Sequence, residues 1–254
     1  MRYLLNIIIV YLSFSSIAFG QADTDSLFAK GNEAYKNKQF FDAIELYSVI
    51  IEHHENVSAE VYYNLGNAYY KTGDFSRAIL NYERALLLNP SDEDIQFNLA
   101  KAKTYLVDKI EVIPDFFVKT WFKKILIFFD SNLWAILALL FFNLSITGIL
   151  IYNFTKSVAF RKLSFILSIL FLFFSVFALS FAFKTRNYIE ESNSAIVLEP
   201  TVRVKSSPDL ESNDMFIIHE GLKVDVIREI GTWSEIRLSD GKQGWMQSEN
   251  FEKI

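Results

Sequence analysis

The hydrophobic positions change period several times along the chain, and each change marks a different kind of element. Apolar residues run almost unbroken from Tyr3 to Phe19. From Leu27 onward they recur three and four apart, the spacing of amphipathic helices. A mixed stripe follows, in which Val118, Trp121, Phe122, Ile125, Leu126 and Phe129 interleave with Lys119, Lys123 and Lys124. Two uncharged runs, 133–154 and 163–183, come next, each about 20 residues and so long enough to cross roughly 30 Å of hydrocarbon. After Ala195 the period drops to two, the spacing of strands.

The first apolar run starts with Met1-Arg2 and ends in Ala18-Phe19-Gly20. A basic start, an apolar centre and small residues at the end predict a secretory signal over 1–20, cut after Gly20. An uncleaved signal anchor is the alternative, and either puts the next segment outside the cytoplasm.

Between Leu27 and Asn89 the chain repeats itself. Gly31, Ala43 and Tyr47 return 35 positions later as Gly66, Ala78 and Tyr82, a spacing that marks stacked helix pairs. The second copy carries Tyr62, Leu65, Gly66, Tyr69, Ala78, Tyr82, Ala85 and Pro90 in an order that resembles the tetratricopeptide-repeat (TPR) family. The first copy departs from it at Lys38, where a turn glycine is usual. The expectation is a TPR domain over 21–110, built from two repeats and a capping helix near 92–108. Small residues let the helices approach, and Gly73 ends a helix as a left-handed cap. The resemblance implies a concave surface that receives an extended peptide or a helix. At its groove-facing positions stand Asn32, Asn64, Asn67 and Asn98, whose amides can both donate to and accept from a bound backbone. Relatives that grip a terminal carboxylate add basic residues, but the matching positions here are Phe28 and Asp94.

The stripe after Pro114 suits a helix in the membrane interface, so 111–132 is read as linker and interfacial helix. The two spans, 133–154 and 163–183, form a hairpin whose loop, 155–162, holds Lys156, Arg161 and Lys162, as a cytoplasmic loop would. Lys119, Lys123, Lys124, Lys184 and Arg186 outnumber them on the other side. The N-terminal signal decides orientation and makes the flanking domains periplasmic. Asn143, inside the first span, suits helix pairing and partner binding equally.

Beyond the linker 184–194, five short strands are expected at Ala195–Val197, Thr201–Lys205, Lys223–Ile227, Trp233–Leu238 and Gly244–Met246, with turns at Ser207-Pro208, Glu220-Gly221, Gly231-Thr232 and Asp240-Gly241. Five such strands make a small barrel. The order of turns and tryptophans over 195–254 resembles the bacterial SH3 family. Trp233 and Trp245 are read as core rather than as a ligand platform.

Charge sharpens this division. Residues 21–115 carry 16 acidic and 9 basic side chains, 187–254 carry 13 and 7, and 116–186 carry 1 and 8. Acidic soluble parts lack the footprint of a nucleic-acid binder. The chain has no cysteine, which excludes disulfides, thiolate catalysis and the cysteine attack of hydrolases that carry similar SH3 modules. Adjacent His53 and His54 cannot make an i, i+4 metal pair, and His219 sits at an expected turn with no nucleophile beside it. Asp92, Glu93 and Asp94 suit the start of a helix better than a metal site. No catalytic residue, metal or cofactor is expected.

The whole is therefore expected to be a multidomain membrane protein: an all-α TPR helix-pair solenoid, a two-helix transmembrane hairpin and a small all-β SH3-like barrel. The order of modules, with the intervening Asp108-Lys109-Ile110-Glu111-Val112-Ile113-Pro114-Asp115-Phe116-Phe117, resembles the BatE-type members of the Bat aerotolerance family. That resemblance implies an inner-membrane scaffold beside von Willebrand A-domain membrane proteins and a MoxR-type ATPase system, acting in oxidative-stress tolerance or envelope maintenance. A cell-wall sensor or anchor holding peptidoglycan through the SH3-like domain is the rival reading.

Overall fold

The helical spacing from Leu27 onward produces five helices in the computed structural model, which describes residues 24–53, 57–110, 117–126, 128–190 and 193–254. They are α1 (24–36), α2 (Phe40–His53), α3 (Ala59–Thr72), α4 (Phe75–Leu88) and α5 (Glu93–Lys103). The expected signal segment 1–20, residues 111–116 of the linker and His54 lie outside the described residues. The chain divides into two compact units. One contains α1 to α5 together with the C-terminal strands; the other contains the helices between them.

The 35-residue repeat has a steric cause. Tyr47 packs so closely on Gly31 that a Cβ there would sit 2.6 Å from its ring, and Tyr82 does the same to Gly66 at 2.8 Å. Each glycine is thus a socket for a tyrosine from the second helix of its own pair. Ala43, Ala78 and Ala85 are fully buried between the helices, where a larger side chain would push them apart. Ser58 caps α3 through Val61 N–H, and Asp92 caps α5 through Asp94 and Ile95 N–H, so the acidic cluster does serve a helix start. Both helix pairs turn through the same closed geometry. In α3 the Gly73 and Asp74 N–H groups bond back to Tyr70 and Tyr69 carbonyls; in α1 the Lys38 and Gln39 N–H groups bond back to Tyr35 and Ala34. Lys38 therefore adopts φ 63°, the left-handed region that Gly73 occupies at φ 85°. The first repeat keeps the turn and bears the strain.

The alternating segment forms an antiparallel sheet of seven strands: β1 (Ser194–Val197), β2 (Thr201–Lys205), β3 (Asp214–His219), β4 (Lys223–Ile230), β5 (Trp233–Arg237), β6 (Gln243–Gln247) and β7 (Phe251–Lys253). Their order is β3-β2-β6-β5-β4-β1-β7. Five were expected. The additional β3 is a near-continuous apolar run at an edge, and β7 is too short to show a period. His219 accordingly ends a strand instead of sitting in a turn. Alternate residues such as Val202, Val204, Val224, Val226 and Ile236 point into one core. Gly221, Gly231 and Gly241 all take positive φ in the connections. Trp245 is buried under the Arg228 guanidinium, 5.1 Å from its ring centre, while Trp233 is half-buried.

The sheet is not a separate domain, because it packs on α4. Ile196 is fully buried in one cluster with Ala78, Ile79 and Leu80, and Leu198 and Ile254 pack against it. A Cβ on Gly221 would overlap Leu106 and touch Ile79. Residues 104–110 cross between the two parts as a strap. Ile110 packs on the sheet core, and both carboxylate oxygens of Asp108 engage His219, at its N–H (2.6 Å) and at Nδ1 (3.0 Å). Glu83 of α4 pairs with Lys103 and Lys223, each at 2.7 Å. Arg84 reaches Glu252 at 2.8 Å, and Ser76 donates to Glu220 at 2.9 Å.

The second unit holds α6 (Phe117–Leu126), α7 (Ser131–Phe154) and α8 (Val158–Glu190). Asp130 breaks the apolar run by capping α7 through Leu133 N–H at 2.9 Å, which makes α6 a separate helix as expected. Two expected boundaries shift. The loop shrinks from 155–162 to 155–157, since α8 already begins at Val158, and 184–190 continues α8 instead of forming linker. No glycine or proline interrupts 158–190, so the helix continues through the charges at both ends. The two long helices meet along a seam spaced four and three: Trp134, Ala138, Phe141, Ser145, Gly148 and Tyr152 on α7, facing small residues such as Ser164, Ser168 and Ser175 on α8. Ser168 and Ser175 donate to the Ser145 and Ala138 carbonyls at 2.8 and 2.9 Å. The Leu126 carbonyl accepts from Trp134 Nε1 and Thr185 Oγ1, which holds the end of α6 against both. Both helices are long and apolar enough to cross a membrane.

Two stability changes follow. Replacing Lys38 by Gly should stabilise the full chain by about 1 kcal/mol and Gly73→Ala should destabilise it by about as much, read from denaturant unfolding in detergent. Burial acts to raise the Glu83 carboxyl pKa, but Lys223 and Lys103 together outweigh it and hold it below the usual carboxylate range. The resulting stability is present above the ordinary glutamate value of about 4.3 and is lost as pH falls through the lower folded value, so the acid limb of a stability–pH curve should flatten in Glu83→Gln.

Candidate functional site

The socketed tyrosines determine what the asparagines do. Tyr82 is 1% exposed, and its phenol donates to Asn67 Oδ1 at 2.7 Å. Asn98 Nδ2 donates to the same oxygen at 3.1 Å and to the Tyr63 hydroxyl at 2.9 Å. One repeat earlier the pattern recurs: Tyr47 donates to Asn32 Oδ1 at 2.7 Å, and Asn64 Nδ2 donates to it at 3.1 Å. The four asparagines thus form two bonded pairs, Asn32 with Asn64 and Asn67 with Asn98. Burial pushes the Tyr47 phenol up to about 12, with Tyr35 adding to it, and raises that of Tyr82 as well. Both hydroxyls therefore stay neutral donors at any physiological pH.

The second pair opens onto a cleft of about 240 Å³. Tyr35 of α1, Tyr63, Asn67, Tyr70 and Lys71 of α3, Tyr82 of α4, and Asn98 and Lys101 of α5 line it. Among the described residues, Asn67 has its oxygen filled and its amide N–H groups left over, and Asn98 has both N–H groups in use and its oxygen left over. Side by side they present one donor and one acceptor, the complement of a peptide unit. Lys71 and Lys101 supply positive charge and, among the described residues, no acidic side chain lines the cleft, while Lys101 lies 5.2 Å from the Tyr70 ring centre.

Residues 59–92 match the family model of the tetratricopeptide repeat. The match covers α3, α4 and the loop after them, the repeat that builds most of the cleft. No curated protein matches the chain. TPR repeats are in general protein-interaction modules whose stacked first helices form the binding surface; the first helices here are α1 and α3, with α5 stacked beyond them.

Of the four expected residues, the structure brings Asn67 and Asn98 into the cleft, with Asn32 and Asn64 paired one repeat away. Tyr63, Tyr70, Lys71 and Lys101 were not anticipated. Part of the signal was present, because Tyr35-Lys36 recurs as Tyr70-Lys71 at the same 35-residue interval and Tyr105 follows Tyr70. The basic residues enter from positions other than those of Phe28 and Asp94. Among the described residues, no group of three or more His, Asp or Glu side chains is gathered to hold a metal.

Asn67 has two jobs, and they can be separated. Asn67→Ala strands a buried phenol and should cost about 1–3 kcal/mol; adding Tyr82→Phe should restore most of it, because removing both partners of a buried bond is nearly neutral. A double-mutant cycle by denaturant unfolding measures the coupling.

Proposed function

We propose that this chain is a membrane-anchored scaffold whose TPR cleft recruits a partner protein through an extended segment carrying an acidic side chain. The observation that carries this reading is the unused donor on Asn67 beside the unused acceptor on Asn98, flanked by Lys71 and Lys101. A backbone amide answers the asparagines, and a carboxylate answers the lysines. Two spanning helices would hold that cleft next to the bilayer. The TPR helices and the β-domain precede and follow the hairpin yet fold as one unit, so the chain would leave and re-enter on the same face. In keeping with the resemblance to BatE-type proteins, we place that face in the periplasm, the sheet among SH3-like barrels, and the partners among von Willebrand A-domain membrane proteins working with a MoxR-type ATPase in envelope or oxidative-stress maintenance. The peptidoglycan reading draws less support, because the β-domain already uses one flank to dock on α4.

Crosslinking of the full-length protein in its native membranes, followed by identification of the captured proteins, tests the proposal. Replacing Lys71, Lys101 and Asn98 together by Ala should weaken capture roughly tenfold or more while the fold survives, since none of the three fills a socket. Undiminished capture of every partner by that variant removes the cleft from the function.

A further inference from the structure

Helix α7 carries a second stripe that its partner in the hairpin does not touch. At 100° per residue, Ile136, Leu140, Asn143, Thr147, Leu150 and Phe154 lie opposite the seam, and all six are exposed. Their spacing, four and three in alternation, is that of a second helix-packing face. Asn143 is its only amide and the thirteenth residue of a helix of 24, the middle of the span. Its Nδ2 bonds to the Leu139 carbonyl at 2.8 Å, which leaves one N–H and the Oδ1 oxygen without a partner among the described residues. Thr147, one turn on, satisfies its own hydroxyl at the Asn143 carbonyl, 2.9 Å away.

An amide with one free donor and one free acceptor at mid-bilayer is costly to leave in hydrocarbon, where no water can reach it. Resting on the membrane-spanning reading of the hairpin, we infer that this stripe pairs with the same stripe of a second copy, Asn143 to Asn143, making a parallel two-fold dimer of α7 helices. Two copies inserted by one topology have their α7 helices pointing the same way and their Asn143 residues at the same depth, so a two-fold axis along the membrane normal brings the amides face to face. The amide is its own complement, donor to acceptor in both directions. A lone asparagine inside an apolar four-three stripe also selects one register, since any slip buries it against leucine.

The chain has no cysteine, so single cysteine substitutions report one position each. In membranes carrying the full-length protein, mild oxidation should give a species of twice the chain mass from Leu140→Cys and Thr147→Cys, and little from Phe142→Cys or Leu144→Cys on the flanks. In the Thr147→Cys background, Asn143→Val should lower that yield roughly three- to tenfold and Asn143→Gln should preserve it, the range expected for a polar contact between membrane helices. An intramolecular disulfide in the Ser145→Cys, Ser168→Cys pair reports that each hairpin has folded, and retention of the chain after alkaline extraction tests the spans separately. Equal yields around the helix, indifference to Asn143→Val, or coupling of Thr147→Cys only to a protein of different mass would overturn the dimer.

Discussion

The unit of α1 to α5 and the strands depends on α4 being buried on nearly all sides. Ser76, Ala78, Ile79, Leu80, Asn81, Tyr82 and Ala85 are all buried, although they cover every direction of a helix turn. On one side Tyr82 fills the Gly66 socket and reaches Asn67; on the other Ile79 shares a buried cluster with Ile196 and Glu83 meets Lys103 and Lys223. A single rigid element therefore carries the wall of the cleft and the seat of the sheet. The apolar contacts supply most of the driving force, as buried area does in general. The ion pairs set the register, because a buried carboxylate is tolerated only where its cations are in place.

The hairpin solves a different problem with the same geometry. Were the hairpin in hydrocarbon, there would be no hydrophobic gain from bringing α7 and α8 together, and close approach and hydrogen bonds would have to hold them. The small residues of the seam allow both: a Cβ on Gly148 would meet Ser168 at 3.0 Å, and two serines reach across to carbonyls. Phe141 and Phe171 stack at the same seam, with ring centres 6.2 Å apart.

Periodicity made most of this legible. The 35-residue interval located both helix pairs because it records a steric fact, one tyrosine in one glycine socket, and the two uncharged runs announced the long helices. Lys38 was readable as a departure, though only the backbone reveals that the turn is kept. The candidate site was half legible. Asparagines on one helix face could be picked out, but the tyrosine hydroxyls that donate to Asn32 and Asn67 come from 15 residues away across a turn, which no local pattern encodes. The docking of the sheet on α4 was invisible for a stronger reason: Ile196, Gly221 and Leu106 look like ordinary strand, turn and loop residues until they are seen against one another. Edge strand β3 was missed because an unalternating apolar run does not declare its secondary structure.

The strap and the α4 docking join residues up to 169 positions apart across the hairpin. Closing such a separation is slow compared with forming helix pairs from neighbouring segments. During synthesis the two repeats can form as soon as they emerge, but α4 keeps an uncovered apolar flank until the last strands arrive. Those strands are made only after both long helices. The last strands to be made are thus the ones that close this unit, and a nascent chain lacking them would leave the Ile79 and Leu106 side chains without their cover.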